Sequence, residues 1–131
     1  MVGPPSDTTA GRTVLVVEDH DDLRELYSYW LRHDGFEVLS AAGGSEAIQI
    51  IEGCTPDVLV VDVHLRTVAG DSVLHEITED ARTCQIPVVA IRACTTDKVS
   101  ANVAAVLCKP IAEADLTSAV RAAAERALPH H

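Results

Sequence analysis

Val58-Leu59-Val60-Val61-Asp62 is an unbroken aliphatic run that stops on an acid. Three of its four aliphatic residues are β-branched. A run of this kind does not alternate between core and solvent, so it reads as a strand covered on both faces. The same figure stands upstream, where Val14-Leu15-Val16-Val17 ends in Glu18-Asp19. Downstream, Val88-Val89-Ala90-Ile91 is a third run, and Val103 to Cys108 a fourth that leads into Lys109. Phe36 to Ser40 is a weaker fifth strand, expected near an edge.

Between these runs the hydrophobic period becomes helical. Leu23, Leu26, Tyr27, Trp30 and Leu31 recur at helix spacing, as do Gly44, Ala47, Ile48 and Ile51. Val73, Leu74 and Ile77 follow Gly70, and Leu116, Ala119, Val120, Ala123 and Ala127 mark a last amphipathic helix. Gly35 and Gly53 sit where left-handed caps would close two helices. Strands that alternate with helices imply an α/β fold, a doubly wound five-stranded parallel sheet covered on both faces.

The 131 residues suit one domain, with 12–127 as the folded body and 1–11 and 128–131 as tails. Hydrophobic residues make up 47% and aromatics 3%, so the core must be aliphatic. A formal charge of −10 argues against a nucleic-acid surface, which needs basic groups, and against an anionic membrane. Cys54, Cys84, Cys94 and Cys108 show no zinc spacing and read as thiols of a reducing cytoplasm. Residues 1–11 carry no apolar leader and no apolar run is long enough to span a membrane, so the expected location is cytoplasmic.

In open parallel sheets, ligands bind beyond the carboxyl ends of the strands, at the point where strand order switches. Glu18, Asp19 and Asp62 all stand at such ends and share one cleft if their strands are neighbours. Like charges at ~4 Å and a dielectric of ~20 repel by roughly 4 kcal/mol, so the cluster must raise a pKa or bind a cation. Hard oxygens beside an open cleft suit Mg²⁺. A carboxylate there is a competent nucleophile toward a phosphoryl group. Lys109, closing the last strand before Pro110, is the candidate cation in the same cleft. The alternative reading of each of these residues is a solvated strand cap.

The ordered set V-L-V-V-E-D-H-D-D-L-R at 14–24, G-F-E-V at 35–38, A-I at 47–48, P-D-V-L-V-V-D at 56–62, Gly70, I-P-V-V-A-I at 86–91 and K-P at 109–110 resembles the receiver domains of two-component response regulators. The resemblance implies a flavodoxin-like receiver fold that is not an enzyme on an external substrate. It implies Asp62 as phosphoacceptor, with a histidine kinase or histidine phosphotransfer protein as donor. It implies Mg²⁺ as cofactor, held directly by Asp19 and Asp62, by the His64 backbone carbonyl, and by Glu18 through water. Lys109 would pair with the acceptor carboxylate and then with the phosphoryl group, and the Lys109–Pro110 bond would be cis. The output partner is left unnamed, and a homodimer is left open.

Three features depart from that family. Arg92 stands where it usually has Thr or Ser, and Val106 where it often has Tyr or Phe. The stretch from Ala93 to Lys109 is short, so a short or degenerate fourth helix is expected over 95–102. Arg92 has three readings: a solvated side chain, an ion pair with a cleft acid, or a bidentate phosphoryl ligand. If it points inward, Mg²⁺ affinity should fall. Val106 reads as an ordinary strand residue, and His20 and His64 as loop histidines near the cleft. An alternative function is a phosphorylation-independent protein-interaction module. A flavin binder is disfavoured, because E-D-H-D-D after the first strand would repel a cofactor phosphate.

Overall fold

The computed structural model describes residues 11–63, 85–93 and 103–126. The strands expected from the aliphatic runs are β1 (Thr13–Val17), β2 (Glu37–Ala41), β3 (Val58–Asp62), β4 (Val88–Ala93) and β5 (Ala105–Lys109). They form one parallel sheet in the order β2-β1-β3-β4-β5. The order reverses between β1 and β3, which puts the acids that end these two strands side by side at the switch point.

Three helices are described: α1 (Asp21–His33), α2 (Gly44–Gly53) and α3 (Glu113–Arg126). Strand alternation splits the core into two layers. Val14, Val16, Val58, Val60, Val89 and Ile91 pack under α1 and α3, against Tyr27, Leu31, Leu116 and Val120. Leu15, Val17, Leu59, Val61, Val88 and Ala90 face the other way, onto Ala47 and Ile51 of α2. β1 and β3 are therefore buried along almost their whole length. β5 differs from expectation. It is the second edge of the sheet, only partly covered, with Val106 exposed. Its apolar run does not mean burial on both faces, because among the described residues it pairs with β4 alone, at the edge of the sheet.

The helix ends divide in the same way. Gly35 has φ 106°, and its N–H donates to the Arg32 carbonyl while that of Phe36 donates to Leu31. This is a Schellman closure of α1, with Phe36 buried beside Leu31. Gly53 does not act as a left-handed cap. It is the last residue of α2, and extended Cys54 closes the helix by donating to the Ile50 carbonyl at 2.8 Å. The chain runs on directly toward β3, so no left-handed turn is needed there. The expected helix around Val73–Ile77, the degenerate fourth helix at 95–102, and the tails apart from Gly11 lie outside the described residues.

Candidate functional site

β3 ends on Asp62, which is 2% exposed, and β5 ends on Lys109. The Lys109 ammonium donates to Asp62 Oδ2 at 2.6 Å, across the intervening β4. The pairing follows from strand parity. Asp62 continues the face of Val58 and Val60, and Lys109 that of Ala105 and Leu107, so both point to the α1/α3 side. The Lys109–Pro110 bond is cis.

Glu18 follows β1 and is buried at 1% exposure. Its backbone N–H donates to the Ala41 carbonyl at 3.0 Å, and its Oε2 accepts the His20 N–H at 3.1 Å. Its Oε1 is buried and receives no hydrogen bond from a protein donor. Burial, then a hydrogen bond and repulsion from Asp62, push its pKa up to about 8; the His20 N–H and the Lys109 charge oppose the shift. The carboxyl thus tends to keep a proton and share it with Asp62. The same burial, with the charges of Glu18 and Asp62, pushes the Tyr27 phenol on α1 up to about 12.

The structure brings Glu18, Asp62 and Lys109 together, and Asp19, the residue after Glu18, is half-buried. His64 lies outside the described residues. His20 is the N-cap of α1, its Nδ1 accepting the Leu23 N–H at 3.4 Å. Val106 is exposed on the edge strand. Arg92 is not a solvated side chain: it is half-buried and its Nε is enclosed. Strand parity puts it with Val88 and Ala90 on the α2 side of the sheet, opposite Cys108, whereas Ala93 pairs with Lys109.

Among the described residues, no three His, Cys, Asp or Glu side chains are grouped to hold a metal by themselves. Oxygen donors are present nonetheless. Glu18 Oε1 is a buried oxygen with no donor, next to a second buried carboxylate. That set fits a hard cation that keeps several waters and takes one or two carboxylates, as Mg²⁺ does, rather than a closed protein cage.

Two features were not legible in the sequence. Arg24 closes the site from α1: its Nη1 donates to the Glu18 carbonyl at 2.9 Å, and its Nη2 pairs with Asp21 at 2.6 Å. The i, i+3 spacing of Asp21 and Arg24 was the only available signal. The other is an apolar cleft of about 420 Å³ lined by Leu23, Leu26, Tyr27, Trp30, Pro110 and Ile111, with Lys109 at its edge.

The model of the response regulator receiver domain matches residues 14–121. A transcriptional regulator of Haloferax volcanii is 35% identical over 116 residues, which are 88% of this chain and 20% of that protein. The transcriptional regulatory protein PdtaR of Mycobacterium tuberculosis is 31% identical over 134 residues, 96% of this chain and 64% of that protein. The chain therefore spans less than two thirds of these relatives. The receiver domain of the sensor histidine kinase PA1611 from Pseudomonas aeruginosa, solved with a magnesium ion coordinated in its active-site cleft, superposes with a TM-score of 0.81 at 25% identity, covering 88% of this chain and 99% of that one. No described helix is long and apolar enough to cross a membrane. An acid-ended parallel sheet with its lysine pair, matched along most of its length by the family's model, places this chain in the response regulator receiver domain family, the non-enzymatic phosphorylation-signalling modules of two-component systems.

Proposed function

We propose that this domain accepts a phosphoryl group on Asp62 from a histidine kinase or histidine phosphotransfer protein. The observation that carries the reading is the 2.6 Å pair between buried Asp62 and Lys109. The ammonium orients the carboxylate with a short charge-assisted hydrogen bond in a buried site. An Asp62 oxygen attacks phosphorus, the P–N bond to the donor histidine breaks, and the imidazole leaves with the electron pair. The product is an acyl phosphate on Asp62, and Lys109 then faces a phosphoryl oxygen.

The residues suited to Mg²⁺ are Asp19 and Asp62 directly, the His64 carbonyl, and Glu18 through water. When bound, the ion adds positive charge beside the phosphoryl oxygens as the bond forms. The magnesium in the PA1611 receiver supports this choice of ion. The relatives include sensor histidine kinases, among them TmoS of Ectopseudomonas mendocina, which supports a histidine donor. The apolar cleft beside Lys109 is the surface on which a donor helix would bring its histidine to Asp62.

The test is incubation with acetyl phosphate and Mg²⁺, read by intact mass. The expected result is a gain of one phosphoryl group that Asp62→Asn abolishes. No modification would favour the second reading, a protein-interaction module independent of phosphorylation. That reading draws on Arg92 standing in place of the family's Thr or Ser and on Val106 in place of an aromatic residue.

A further inference from the structure

We propose that the cleft between α1 and β2 is a second binding site, one that takes a phosphomonoester bearing hydroxyl groups. The cleft has a volume of about 410 Å³ and is lined by Arg24, Glu25, Ser28, Arg32 and Ser40. That volume lies in the usual range for small-molecule sites. Its lining is polar, and two guanidinium groups are concentrated there in a chain of formal charge −10.

Arg24, Ser28 and Arg32 recur every four residues, so they line one face of α1 over about 12 Å. Ser40 faces them from β2, the edge strand of the sheet. Ser28 is 3% exposed and its hydroxyl makes no hydrogen bond, an unusual cost for a buried polar group facing a core layer. A small rotation toward the cleft would let that hydroxyl meet a ligand oxygen. Arg32 is weakly held, with Nη2 donating to the Val38 carbonyl at 3.4 Å, outside the usual hydrogen-bond range. Most of its five N–H donors remain for an oxyanion. Arg24 gives two donors to the Glu18 carbonyl and Asp21 and keeps others, so it borders both this cleft and the acidic one.

Glu25 decides the ligand class. Among the described residues it makes no ion pair, and it stands on the rim of the same cleft. A carboxylate there repels a bare phosphate but accepts hydrogen bonds from hydroxyl groups. Guanidinium groups for the phosphoryl end and Glu25, Ser28 and Ser40 for hydroxyls together describe a polyol phosphate.

The test is calorimetric titration of ribose 5-phosphate and of inorganic phosphate into the full chain carrying Asp62→Asn, with chelator present. No phosphoryl group can then be attached to Asp62, so the result is independent of whether Asp62 accepts phosphate, and the Arg32 and Ser40 variants separate this cleft from binding at the Lys109 ammonium. Ribose 5-phosphate is expected to bind at least tenfold tighter than inorganic phosphate. Arg32→Ala should weaken it at least tenfold, and Ser40→Ala severalfold. No heat up to about 10 mM ligand, equal affinity for the two probes, or binding unchanged by both substitutions would overturn the proposal.

Discussion

The Lys109 ammonium reaches Asp62 Oδ2 at 2.6 Å from the edge strand β5, with β4 lying between their strands. Asp62 is buried, and it shares its surroundings with a second buried carboxyl, Glu18. Lys109→Met would leave the Asp62 carboxylate buried beside Glu18 without this ammonium. The expected cost is about 1–3 kcal/mol of stability at neutral pH. Urea denaturation of the two proteins measures it, and an unchanged midpoint would show that the pair does not hold the sheet end together.

Glu18 gives the metal-free protein a pH dependence of definite sign. Its pKa in the folded chain is raised from 4.5 to about 8. Between those values the unfolded chain releases a proton that the folded chain retains, so the stability contributed by Glu18 is full below about pH 4.5 and is lost as pH rises toward 8. The decline should amount to a few kcal/mol, on the order expected for a shift of this kind. Glu18→Gln should flatten the profile. Thermal melts from pH 4 to 9 in chelator, as roughly spaced points across that window, would show either the slope or its absence.

The two helix-end glycines should respond in opposite directions to alanine. Gly35 has φ 106°, where a Cβ is strained, so Gly35→Ala should destabilise by about 1–2 kcal/mol. Gly53 is helical and a Cβ there meets nothing within 4 Å, so Gly53→Ala should stabilise by about 0.5 kcal/mol. Denaturation midpoints of both variants check the pair.

Leu26 is 39% exposed and lines the apolar cleft whose edge is Lys109. Leu26→Asp should leave stability within about 0.5 kcal/mol, as surface changes usually do. It should leave acetyl phosphate labelling of Asp62 intact and slow transfer from a phosphorylated kinase or phosphotransfer domain at least tenfold. Equal slowing with both donors would place the effect in the chemistry rather than in docking.

The aliphatic runs ending on Glu18, Asp62 and Lys109 were enough to read a parallel α/β sheet and to name its carboxylates, because a strand covered on both faces leaves a continuous local pattern. Gly35 as a helix closure was legible for the same reason. Gly53 was misread because a glycine after a helical pattern does not say whether the chain turns or runs straight on, and here it runs toward β3. The fourth aliphatic run was misread as buried because composition alone does not distinguish an inner strand from β5 at the edge.

Residue order therefore set the elements, the switch-point acids and the lysine that closes the last strand. Strand order and register, which are non-local, put Lys109 on Asp62 and set Arg92 opposite Cys108. Burial, which depends on what packs above a residue, pushed the Glu18 pKa up to about 8. The packing of α1 on β2 gathered Arg24, Ser28, Arg32 and Ser40 around one cleft. Helical spacing could align the first three, but only the folded sheet could bring Ser40 to face them.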